Sequence, residues 1–181
     1  MRTIVILHGI QGFAGWQNDV SAKLISKGYK VIMPVFPNWG HPDRKECLKI
    51  VQKEVTNVNL SELTLIGHSL GVTTACDFLE TLKSPIACFI SVSGFATDYK
   101  AELNSYFLKE KTVDYNKIIQ NSKKRIVIYG ENDLYVPQKT LADFATDIKA
   151  TDTIVIEKGG HLSTGAGFTE FPLLIDLIEE K

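Results

Sequence analysis

Short apolar runs rich in β-branched residues alternate along this chain with segments of helical spacing, and few architectures accept that order. Thr3–Leu7 reads Thr-Ile-Val-Ile-Leu, the continuous pattern of a strand buried on both faces. Strand signals return at residues 29–34, 63–66, Ile86–Val92, 125–129 and 153–156. Between the first two, Trp16, Val20, Leu24 and Ile25 recur at helical intervals over 16–27, and Gly28 ends the pattern. Further helices are predicted at 44–55, 72–82, 137–149 and 169–180. Residues 95–121 read as an irregular excursion with short helical pieces. Six strands separated by helices predict an α/β fold: a mostly parallel, doubly wound sheet with helices on both faces. No repeat, linker or low-complexity segment interrupts it, so residues 1–181 are expected to form a single domain. Residues that carry chemistry belong in the loops at the carboxyl ends of the strands.

One such loop holds Gly67-His68-Ser69-Leu70-Gly71, between a strand and the helix predicted at 72–82. G-x-S-x-G in a strand-turn-helix context is the pattern of a nucleophile elbow, a sharp turn that exposes its serine above the sheet. A serine needs a base to become a nucleophile. Of the four histidines, His8, His41 and His68 precede Ser69, and His161 alone follows it. His161 lies just past the last strand in Gly159-Gly160-His161 and is the expected general base. Asp133, past the end of the preceding strand, is the expected acid that orients it, with Glu131 as runner-up. The backbone N–H groups of Leu70 and Ile10 are the expected oxyanion donors. His8 is read as a brace for its loop, and His68 as a structural residue pointing away from the pocket. Candidate pocket walls are Phe13, Trp16, Trp39, Phe95, Tyr135 and Leu162, each equally open to a packing role.

Composition excludes several function classes. A net charge of −1 gives no electrostatic case for nucleic acid or an anionic membrane surface. Lys123-Lys124-Arg125 reads as a solvated approach to a strand. Cys47, Cys76 and Cys88 are an odd set without C-x-x-C spacing, which argues against a disulfide framework or a metal site. Reduced thiols fit a cytoplasmic protein. No signal peptide and no membrane-spanning apolar run is recognised. No G-x-x-x-x-G-K motif occurs, and neither a metal nor an organic cofactor is implied.

The chain resembles the α/β-hydrolase superfamily and, within it, the small YdeN-like serine hydrolases, a group that includes a retinoblastoma-binding protein. His8-Gly9, Gly67 to Gly71, Val92-Ser93-Gly94-Phe95-Ala96, Asp114-Tyr115-Asn116-Lys117-Ile118-Ile119, Gly159-Gly160-His161 and Gly167-Phe168-Thr169-Glu170-Phe171-Pro172 carry the likeness. It implies a compact α/β-hydrolase fold without a large lid, and a catalytic serine, aspartate and histidine at Ser69, Asp133 and His161. The expected activity is esterase-like cleavage (EC 3.1) of a small acyl ester, thioester or amide through an acyl-enzyme, by a monomer or small homo-oligomer. The alternative is a weakly active or non-catalytic binding protein on the same scaffold.

Overall fold

The computed structural model describes residues 2–180. Six strands form one sheet: β1 (Thr3–Leu7), β2 (Lys30–Ile32), β3 (Leu63–His68), β4 (Ile86–Val92), β5 (Ser122–Gly130) and β6 (Asp152–Ile156). Their order is β2-β1-β3-β4-β5-β6, and all five pairings are parallel. The helices are α1 (Gly15–Ser26), α2 (Arg44–Glu54), α3 (Leu70–Thr81), α4 (Ser105–Lys109), α5 (Tyr115–Gln120), α6 (Gln138–Asp147) and α7 (Pro172–Glu179).

The two-residue period of a strand divides the core in two. Val5, Leu7, Leu65, Phe89 and Val127 point to one face, where α2, α3 and α6 bury Val51, Ala75, Leu79, Leu141 and Phe144. Ile4, Ile6, Ile66, Ile90 and Ile128 point to the other, where α1 and α7 bury Trp16, Val20, Leu24, Leu174 and Ile178. A strand such as Ile-Val-Ile-Leu must therefore be apolar throughout, because each side chain has a core to fill.

Element ends differ from the sequence reading for local reasons. β5 begins at Ser122, so Lys124 and Arg125 are part of the ladder, paired with Cys88 and Phe89. The Arg125 guanidinium donates to the carbonyls of Ile148 and Lys149, closing the end of α6. Pro137 caps α6 and Lys149 turns to a φ of +48° beyond it, which trims both predicted ends. Helix α7 starts at Pro172, where a residue without an N–H suits the first helical turn, and not at Thr169.

Candidate active site

The turn between β3 and α3 places Ser69 at φ +55° and ψ −126°, a conformation that costs free energy for any residue with a Cβ. Neighbouring backbone holds it there. The Ser69 N–H donates to the Val92 carbonyl at 2.9 Å. A Cβ on Gly67 would lie 2.8 Å from Val72 Cα, and one on Gly71 only 2.6 Å from the carbonyl oxygens of Leu7 and His8. Both glycines of the motif are thus required by the close approach of β1, β3 and α3. Leu70 is the first residue of α3, so its N–H has no acceptor within the helix. Its side chain is in the core.

Asp133 and His161 come from loops after β5 and β6. A Cβ on Gly130 would collide with the Gly160 carbonyl oxygen, so the two loops meet only because that position is glycine. Gly160 N–H donates to the Glu131 carbonyl at 2.9 Å, and the Glu131 side chain is exposed. Asp133 Oδ1 accepts the Tyr135 and Val136 N–H groups at 2.8 and 3.1 Å, while Oδ2 accepts from His161 Nδ1 at 2.7 Å. Burial opposes ionisation of Asp133. The bonds from His161, Tyr135 and Val136 outweigh it and hold the carboxyl below its usual range. With Nδ1 donating, the Nε2 of neutral His161 carries the free lone pair.

Other contacts fix the His161 loop. His68 Nε2 lies 3.0 Å from the His161 carbonyl; a carbonyl only accepts, so His68 donates. Trp16 Nε1 donates to the next carbonyl, that of Leu162, at 2.8 Å. The Gly15 N–H at the start of α1 donates to Thr164 Oγ1 at 2.7 Å. Leu162 itself is held at φ +47°. Burial, aided by the neighbouring His161, pushes His68 down to about 3, so it remains a neutral donor near pH 7.

Ser69 and His161 open on one cleft of about 280 Å³. Of the candidate walls, Phe13 and Tyr135 line it, and so does Ile10. Trp16, Phe95 and Leu162 do not: they are fully packed in the core, where large apolar side chains gain most. Trp39 lies outside the cleft, half exposed and packed over Gly12. His68 lines the cleft floor instead of pointing away from it. His8 braces its loop, with Nδ1 donating to the Gly9 carbonyl and Nε2 accepting the Phe36 N–H. Tyr99, Leu103, Asn104 and Thr164 also face the cleft. Tyr99, Leu103 and Asn104 lie in irregular chain and Thr164 opens a single 3-10 turn, so no periodicity could have pointed to them. Among the described residues, no group of His, Cys, Asp or Glu could hold a metal ion.

The family model for serine hydrolases matches residues 4–180. YdeN of Bacillus subtilis strain 168 is 28% identical over 182 residues, covering 98% of this chain and 94% of that protein. The crystal structure of the B. subtilis ydeN gene product superposes with a TM-score of 0.88 at 26% identity, over 98% of this chain and 97% of that one. A YdeN-like hydrolase structure from Pectobacterium atrosepticum gives 0.75 at 18% identity, over 98% and 90%.

Proposed function

Because the chain belongs to the serine hydrolase family, as a YdeN-like α/β-hydrolase, we propose that it cleaves small acyl esters, thioesters or amides through an acyl-enzyme on Ser69. The observation that carries this reading is the Asp133–His161 hydrogen bond, with His161 and Ser69 lining one cleft.

In this mechanism Ser69 Oγ attacks the substrate carbonyl carbon as His161 Nε2 takes its proton. Asp133 keeps the Nδ1–H tautomer and stabilises the imidazolium that forms. The backbone N–H groups of Ile10 and Leu70 receive the oxyanion, and the N-terminal end of α3 adds its positive dipole. Collapse of the tetrahedral intermediate breaks the bond to the leaving group, which departs with the proton held by His161. Water, deprotonated by His161, then attacks the acyl-enzyme and regenerates Ser69. Phe13 and Tyr135 border the acyl site. We place the activity in the cytoplasm, a reading supported by three unpaired cysteines, and assign it to a monomer or small homo-oligomer without a cofactor.

Ester hydrolysis by Ser69→Ala tests this reading. The variant is expected to unfold at the native temperature and to lose turnover of p-nitrophenyl acetate. Turnover at the native rate would contradict the assignment of Ser69.

A further inference from the structure

Tyr99 and Asn104 sit on the excursion that follows β4 and line the cleft together with Ser69 and His161. Asn104 is 4% exposed. Its backbone is tied on both sides: N–H donates to the Ala101 carbonyl, and its own carbonyl accepts from Phe107 and Leu108. From that fixed position its Nδ2 donates to the Tyr99 hydroxyl oxygen at 2.6 Å. The phenol ring stands edge-on to the buried Phe95, 5.2 Å between centroids.

The bond from Asn104 Nδ2 gives the direction of the hydroxyl. Its oxygen accepts from Asn104, so its own proton must look for an acceptor elsewhere, and no described residue supplies one. Asn104 Oδ1 is itself buried without a partner. Burial, helped by the Asp133 charge, outweighs the Asn104 bond and raises the Tyr99 pKa, so the hydroxyl keeps its proton near pH 7.

We infer that the substrate carries a second accepting oxygen, apart from the scissile carbonyl, and that the Tyr99 hydroxyl donates to it. A cleft of about 280 Å³ places the two oxygens within one short chain. Suitable compounds are short esters or thioesters with a keto, ether or amide oxygen. Plain alkanoyl esters lack the acceptor, and leave a desolvated donor unpaired when they bind.

This inference rests on the hydrolase reading, and the experiment separates the two. Hydrolysis by native protein and by Tyr99→Phe is followed in a pH-stat with pentyl pentanoate, pentyl 4-oxopentanoate and 4-oxopentyl pentanoate. The expected result is a kcat/KM about tenfold higher for at least one oxo ester than for its parent, the usual worth of one hydrogen bond. In Tyr99→Phe that ratio falls towards one. Equal rates for all three esters with native protein, or a ratio that survives in Tyr99→Phe, would overturn the inference while leaving Ser69 as nucleophile. No turnover of any ester, together with a Ser69 that resists a fluorophosphonate, would overturn the hydrolase reading and this inference with it.

Discussion

Asp133 makes three hydrogen bonds from a side chain with no exposed surface, so its orientation is fixed before any substrate arrives. Asp133→Asn keeps the shape but offers the imidazole an amide in place of a carboxylate. Its kcat/KM is expected to fall by on the order of 10⁴, as for a misoriented base. Glu131→Gln, changed at an exposed side chain, should remain within about twofold of native. Steady-state kinetics of both variants check this, and the reverse pattern would move the acid to Glu131. Order in the chain and position after a strand made Ser69, Asp133 and His161 legible in the sequence as candidates, and the fold bonds Asp133 to His161 and brings His161 to the cleft of Ser69. The contact of His68 was not legible, because its partner is a carbonyl 93 residues away. His68→Ala should lower kcat by about tenfold, the worth of one lost bond to the base loop. His68→Gln, which keeps an N–H donor, should recover part of it, and equal losses in both would contradict a positioning role.

At the scale of elements, strands β1, β3 and β4 were legible because residues facing two cores must be apolar throughout. The excursion after β4 was not, because a side chain from a distant helix fixes it. Arg44 of α2 and Asp77 of α3 are 3% and 2% exposed and form a bidentate pair at 2.7 and 2.9 Å. The same guanidinium donates to the carbonyls of Phe107, Leu108 and Lys111, and Lys111 reaches back to Asp77 and Glu80. The segment that carries Tyr99 and Asn104 is thus tied down by charge, through contacts that no local pattern encodes. Removing one partner leaves the other buried and uncompensated. Asp77→Ala is expected to destabilise the fold by about 3–5 kcal/mol. Arg44→Met combined with Asp77→Leu strands no charge and should cost less, the remainder coming from the carbonyls of Phe107, Leu108 and Lys111 that lose their donor. Urea unfolding measures both, and equal losses would mean that packing, not the stranded charge, sets the cost.

For the whole molecule, the alternation of strands and helices dictates a parallel sheet, and the sheet gathers three distant loops at one edge. The cleft between those loops could not be read from periodicity, which reports what faces a core and is silent on what faces a gap. Burial of His8 and His68 also gives the molecule a pH signature. Both pKa values are lowered in the fold by burial, whereas the unfolded chain titrates near 6.5. Below that pH the unfolded state binds more protons, so stability must fall as pH falls. The melting temperature is expected to drop steadily from about pH 6.5 to about pH 4, and His68→Gln should flatten the slope. A slope unchanged in that variant would assign the effect to other groups. The account as a whole stands on an activated, accessible Ser69, and intact mass after exposure to a fluorophosphonate tests that most directly. It predicts one adduct on the native protein and none on Ser69→Ala; a folded native protein that takes up no adduct would contradict it.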